Sequence, residues 1–238
     1  MRAHSRPPPP KSRAMMWSRA QGPSTRRRED VRFLKGKGQY TDDIPPAHDQ
    51  AAAVFARSTV ANGVIKSIDT SVAESMPGVL AVFTGADFAD VGGNPAGWLI
   101  NSRDGEPMKE PKRPVLAHGK VRHVGDAYAA VIAETEKQAR DAVEAIEADI
   151  EELPAVIDMK AACADGAPKV HDDLTSNLCY DWGFVEENKE AVNKAFDEAA
   201  HVTTLELVNN RLVANPMEPR VAIGDYNRSD GEHTLYTT

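Results

Sequence analysis

The sequence predicts an α+β chain: a mixed sheet with packed helices, followed by the start of a second α+β region. Three observations carry this reading. Short apolar runs of strand length recur between Gly and Pro punctuation. Segments of helical period lie between those runs and follow Ser or Thr with Glu or Gln three residues on. Strands that alternate with helices in this way call for a sheet with helices laid on it.

The elements follow in order. Residues 52–58, Ala-Ala-Val-Phe-Ala-Arg-Ser, read as a buried strand, and Val64-Ile65 starts a second. Ser71 with Glu74 suggests a capping box and a short helix. Pro77-Gly78 turns the chain into a strand over 79–84, which Gly85 ends. Residues 90–119 hold five glycines and four prolines and read as a long loop of the kind that carries function or covers a neighbour. Residues 128–133 give another apolar strand. Thr135 with Gln138 forms a second capping signature, and Ala139, Ala142, Val143 and Ile146 then recur at i, i+3, i+4, i+7. Residues 148–151 return as a strand that Leu153-Pro154 closes. After a linker-like stretch, Val192, Ala195, Phe196 and Ala199 sit at helical spacing. Strands are expected near 201–208, 219–226 and 233–237. The last of these runs into Thr238 without a stop signal, so the pattern is expected to continue beyond it.

Composition narrows the function classes. Of 238 residues, 41% are apolar and 27% charged, which suffices for a core. No apolar run reaches the roughly 18 residues of a membrane span, so none is expected. The net charge of -8 is unevenly spread. Residues 1–40 carry 11 basic and 2 acidic side chains, against 17 and 34 in the remainder. A basic head suggests a nucleic-acid arm, but no nucleic-acid module follows it, and no such partner is assigned. Residues 1–25, with four consecutive prolines, read as a disordered basic tail. Arg26-Arg27-Arg28 resembles an export signal, but Gly36, Lys37 and Gly38 stand where an apolar segment belongs. A cytoplasmic location is expected. Cys163 and Cys179 lack a zinc-spaced partner pair and read as small buried or half-buried residues with reduced thiols, a disulfide being the alternative.

A series of short motifs is more specific. Arg27-Arg28-Glu29-Asp30, Phe33-Leu34, Gly36, Gly38, Tyr40 and Asp42-Asp43-Ile44 open it. Phe55-Ala56-Arg57-Ser58, Ile68-Asp69, Met76-Pro77-Gly78-Val79 and Val82-Phe83-Thr84-Gly85 continue it. Lys120-Val121-Arg122, Val124-Gly125 and the run Leu153 to Asp158 come next, then Leu212-Val213 and Asn215-Pro216-Met217-Glu218-Pro219-Arg220. In this order the motifs resemble the front of molybdenum-hydroxylase large subunits, the aerobic carbon monoxide dehydrogenase, xanthine dehydrogenase and aldehyde oxidase family. The resemblance spans about residues 26–238. Thr59 and Asn62 stand where the family usually has Pro and His, and Asp126-Ala127 where it has Glu-Pro; these departures bear on local packing and subfamily.

The resemblance implies an α/β hammerhead domain over 26–158, a linker over 159–185, and the start of a molybdopterin-binding domain over 186–238. It implies hydroxylation of a carbon substrate, or carbon monoxide oxidation, with water as the oxygen source. The implied cofactor is molybdopterin cytosine dinucleotide; the implied partners are an iron–sulfur subunit and an FAD subunit in a hetero-oligomer. It places the first molybdenum-site glutamine, the glycine-rich cofactor loops and the catalytic glutamate beyond Thr238. The chain is therefore expected to be inactive alone and to bind no molybdenum. The alternative is a non-catalytic hammerhead module of a split or degraded hydroxylase, docking onto a separate cofactor-binding subunit.

Several residues invite sharper roles. Glu218, beside Arg220, reads as a structural ion pair or hydrogen-bonded turn, or as a residue that shapes the cofactor pocket from behind. His118, His123 and His171, with Asp126, Asp172 and Asp173, read as solvated loops or as a metal site. Gly36 and Gly38 lack the rest of a phosphate-binding fingerprint and read as turn glycines. Arg26 to Arg28 contact a partner subunit or are solvated. No Ser-His-Asp set or nucleophile elbow is present. No catalytic, cofactor-binding or metal residue is assigned in this chain.

Overall fold

A computed structural model describes residues 27–183, 188–209, 212–216 and 218–238. The basic tail 1–25, Arg26, the expected boundary at 185/186 and Met217 lie outside the described residues. The chain divides into two compact units: residues to Pro46 together with Val208–Thr238, and Ala47–Leu207.

In the first unit, α1 spans Asp30–Leu34 and buries none of its residues. A five-residue helix is too short to show an apolar stripe, so its sequence does not announce it. Gly36, at φ +65°, terminates it in the left-handed conformation that glycine adopts without strain. The chain then folds back, and Gly38 lies against the Phe33 ring: a Cβ there would sit 2.9 Å from the ring. A 3-10 turn follows at Thr41–Asp43, with the Tyr40 amide donating to the Asp43 carboxylate at 2.9 Å.

The second unit holds the core. Its elements are β1 (Ala52–Arg57), β2 (Gly63–Asp69), α2 (Ser71–Glu74), β3 (Val79–Thr84), a 3-10 segment (Gly85–Val91), β4 (Gly93–Asn94), β5 (Arg113–Pro114), β6 (Lys120–Val121), β7 (Ala127–Ala133), α3 (Glu136–Glu144), β8 (Glu147–Glu152), α4 (Met159–Ala162) and α5 (Lys189–Asp197). One sheet has the order β1-β7-β3 and another β6-β2-β8, and the pairings in both are antiparallel. The α+β class read from the sequence is the class observed.

The central strand explains the core. In β7, Val131 pairs with Val54 on one side and Val82 on the other. Strand periodicity places Ala129, Val131 and Ala133 on one face, all fully buried. Ala139 and Ala142 of α3 close over that face, with Ile146 just beyond. Small side chains on both sides let the helix backbone approach the sheet closely. Thr135 caps α3, its hydroxyl accepting from the Gln138 amide at 3.3 Å, as the sequence signature requires.

Two glycines are fixed by contact. Gly78 turns at φ +82°, and a Cβ there would lie 2.0 Å from the Gln138 side chain. Gly85 is buried, and a Cβ there would lie 2.2 Å from the Ala117 carbonyl oxygen.

Two expectations need correction. Ser71 is not a cap: it is the first residue of α2, and its amide donates to the Asp69 carboxylate at 2.9 Å, while Glu74 accepts from Thr70 at 2.5 Å. The local hydrogen-bond competition is won by the residues just upstream. Residues 201–208 form no strand, because no described segment supplies them a ladder.

The stretch read as a linker, in its described part 159–183, carries hydrogen bonds along its length. The Asp158 carboxylate caps α4 through the Ala161 amide at 2.7 Å. The Asn177 side chain donates to the Ala162 and Pro168 carbonyls and accepts from the Val170 amide. The Arg103 and Lys109 amides donate to the Asp181 and Cys179 carbonyls at 2.8 and 2.9 Å.

In the first unit, β9 (Ala222–Tyr226) and β10 (His233–Thr237) form an antiparallel hairpin in regular register. Every residue of β10 is exposed.

Candidate functional site

The Arg57-Ser58 motif lies at the end of β1 and lines a cleft of about 290 Å³. The other walls are Thr59, Val60, Tyr128, Ile146, Ala148 and Ile150. The Ser58 hydroxyl closes a tight turn, donating to the Val60 carbonyl at 2.9 Å and accepting from the Val60 amide at 3.0 Å. Arg57 donates to the Gly125 carbonyl at 3.0 Å and stacks on Phe55. Burial raises the Tyr128 phenol above its ordinary pKa. The cleft thus offers a guanidinium and a phenol beside aliphatic side chains. It contains no paired base and nucleophile.

The departures from the family pattern have structural work. Asn62 is buried; its Nδ2 donates to the Pro154 carbonyl at 2.8 Å, and its carbonyl accepts from the Leu153 amide at 2.8 Å. It therefore ties the domain exit to the turn before β2. Its Oδ1 is buried with no protein hydrogen-bond partner. Asp126 accepts from the Arg122 amide at 3.0 Å and, through its carbonyl, from the Ser58 amide at 2.9 Å. It knots the turn that leads into β7. Thr59 is exposed.

Glu218 accepts a hydrogen bond from the Thr41 amide at 3.0 Å, at the start of the 3-10 turn. This is a long-range tether between segments 177 residues apart in sequence. Arg220 is exposed.

The three histidines do not converge as one site. His123 Nε2 lies 3.7 Å from the Asp126 carboxylate, and its Nδ1 lies 3.0 Å from the Val124 carbonyl. His171 is half-buried. Burial is the main cause holding its pKa below the ordinary imidazole value, Arg122 and Lys120 add to it, and Asp173 and Asp172 oppose it. His118 is exposed in the segment before β6. Among the described residues, no group of three or more His, Cys, Asp or Glu is placed to hold a metal ion. Cys163 and Cys179 are both exposed free thiols.

One cluster escaped sequence reasoning. Lys120 is buried, and its ammonium contacts both Asp172 carboxylate oxygens at 3.1 Å. A Lys-Val-Arg triplet and an Asp-Asp pair 52 residues apart give no sign that they meet.

These features define a class, and comparison with known proteins names it. The pattern described as "Aldehyde oxidase and xanthine dehydrogenase, a/b hammerhead domain" matches residues 35–154, and "Molybdopterin cofactor-binding domain" matches 170–238. The chain belongs to the molybdenum-hydroxylase large-subunit family of carbon monoxide dehydrogenase, xanthine dehydrogenase and aldehyde oxidoreductase.

It is 30% identical over 227 residues to the carbon monoxide dehydrogenase large chain of Afipia carboxidovorans, covering 91% of this chain and 27% of that one. It is 32% identical over 216 residues to the nicotine 6-hydroxylase large subunit of Paenarthrobacter nicotinovorans, covering 89% and 25%. The crystal structure of quinoline 2-oxidoreductase from Pseudomonas putida 86 superposes with a TM-score of 0.74 at 31% identity, covering 90% of this chain and 26% of that one. The chain spans about a quarter of the length of these relatives.

The family implies a molybdopterin cofactor. The part of this chain that matches the cofactor-domain pattern supplies α5, whose residues are exposed, and the β9-β10 hairpin. No cradle of buried polar atoms forms among its described residues. The described residues of this part do not by themselves make a site for the group, and no catalytic step is derived through them.

Proposed function

We propose that this chain serves as the N-terminal portion of a molybdopterin-dependent hydroxylase large subunit. In this reading residues 26–158 are the hammerhead domain, 159–185 connect it, and 186–238 begin the cofactor-binding domain. The observation that carries the reading is the order of the two family patterns, 35–154 then 170–238, along a chain that aligns to its relatives over nine-tenths of its own length. The whole enzyme would oxidise carbon monoxide or hydroxylate a carbon substrate, with oxygen from water. Its cofactor would be molybdopterin cytosine dinucleotide, and it would work in the cytoplasm with an iron–sulfur subunit and an FAD subunit. No residue of this chain is given a catalytic, cofactor-binding or metal-ligating role. The exposed apolar residues Leu205, Leu207, Val208, Leu212 and Val213 favour further protein packing against this part of the chain.

The test combines two measurements. The purified 238-residue chain is analysed for molybdenum, with substoichiometric content expected. The reading frame past Thr238 is then expressed with its neighbouring genes and assayed for dye reduction with carbon monoxide, purines, aldehydes and aromatic N-heterocycles. Reduction by one of these substrates supports the reading. Stoichiometric molybdenum in the 238-residue chain would overturn it. A stop codon directly after Thr238 would favour the split arrangement, with the hammerhead module docking onto a separate cofactor-binding subunit.

A further inference from the structure

We propose that Lys120 and Asp172 form a one-sided electrostatic latch that holds residues 170–183 against the hammerhead as a strap. The pair is asymmetric. The Lys120 side chain is 8% exposed, whereas that of Asp172 is 72% exposed. When the strap lifts, the carboxylate returns to water at little cost. In the docked arrangement the ammonium, on the edge strand β6, is shielded from water and depends on that carboxylate for its counter-charge. Among the described residues, Asp172 is the carboxylate recorded on the Lys120 ammonium. Arg122 lies two residues on and donates from Nη1 to the Lys120 carbonyl at 3.3 Å, adding a second positive charge. Arg122 Nε is itself buried with no protein hydrogen-bond partner. The strap thus supplies the counter-charge that a cationic site requires, and the strand end is the party that cannot do without it.

The rest of the strap is shaped to present Asp172. The Lys169 ammonium donates to the Asp172 and Leu174 carbonyls at 2.8 and 3.0 Å, curling the chain around the carboxylate. Lys109 donates to the Thr175 hydroxyl at 2.9 Å. Beyond it, Arg103 donates to the Asp181 carboxylate from Nε and Nη2 at 3.2 and 2.6 Å. The Arg103–Asp181 pair is exposed on both sides, so solvent replaces it easily. Only the Lys120 end has a member that solvent cannot serve. The latch stands whether or not the whole protein is a hydroxylase, since it concerns this chain alone.

The asymmetry gives the test. Hydrogen exchange of residues 170–183 is measured by mass spectrometry in the full chain and in Asp172→Asn, Lys120→Met and the double variant. Asp172→Asn strands the buried cation and speeds strap exchange by about 100-fold, while Lys120→Met leaves a solvated carboxylate and changes it by less than about tenfold. The double variant removes both charges and returns exchange to the Lys120→Met level. Equal effects from the two single variants, or none from Asp172→Asn, would overturn the latch. If Asp172→Asn fails to fold, the double variant decides: a folded double variant with strap exchange at the Lys120→Met level assigns the failure to the stranded cation and supports the latch, and a double variant that fails as well defeats it.

Discussion

The β1-β7-β3 sheet and the β9-β10 hairpin are both antiparallel, the first with a register shift in each pairing and the second with none, and they differ in what covers them. In the first, α3 lies on the sheet and Ala129, Val131 and Ala133 are fully buried. In the second, Leu235 is 67% exposed and Tyr236 44%. Strand pairing alone therefore gives geometry, and a helix layer gives burial. Stability should follow the second, because apolar area removed from water is the larger driving force.

This contrast can be broken or sharpened by substitution, read by thermal or urea unfolding. Gly85→Ala should cost about 3 kcal/mol, because its Cβ meets the Ala117 backbone rather than a movable side chain. Val131→Ala should cost about 2 kcal/mol through a cavity under α3, whereas Leu235→Ala should stay within about 0.5 kcal/mol. Equal losses at Val131 and Leu235 would erase the distinction between the two sheets. Thr135→Ala should cost about 1 kcal/mol by leaving the first turn of α3 uncapped. Gly224→Ala in β9 meets nothing within 4 Å and should be neutral or slightly stabilising.

The gentlest probe is pH. His171 is held below its ordinary pKa by burial first, then by Arg122 and Lys120, against Asp173 and Asp172. The docked strap therefore binds fewer protons at His171 than a free one, and its docking weakens as pH falls through about 6.5 towards the lowered value. Strap protection, corrected for intrinsic exchange, should drop between about pH 7.5 and about pH 5.5, and His171→Asn should flatten that drop. An unchanged slope in the variant would assign the effect elsewhere.

Where sequence and structure agree, the signal is local. The runs at 79–84 and 128–133 needed only strand-length apolar content, and Thr135-Gln138 needed only a cap three residues from the amide that donates to it. The Ala139, Ala142 and Ile146 period located the covered face before any partner was known. The local signal runs out where the deciding partner is distant. Residues 201–208 have strand-like alternation, but a strand needs a ladder. The strap is rich in turn residues and reads as a linker, while its tethers to Arg103, Lys109 and Lys120 come from 52 to 78 residues away. Glu218 was legible as a hydrogen-bonding residue, but Thr41 was not legible as its donor. The family motifs, by contrast, were readable because their order is itself a long-range signal.

The Thr41–Glu218 hydrogen bond also sets a schedule. Its partners are separated by 177 residues, so a ribosome adding about 5 to 20 residues per second completes the acceptor roughly ten to thirty seconds after the donor. Through that interval the Thr41 amide has only water for a partner. The β1-β7-β3 sheet, whose strands lie within residues 52–133, is fully synthesised well before then. The turn at 41–43 therefore receives that contact only after the strands of the β1-β7-β3 sheet have been made.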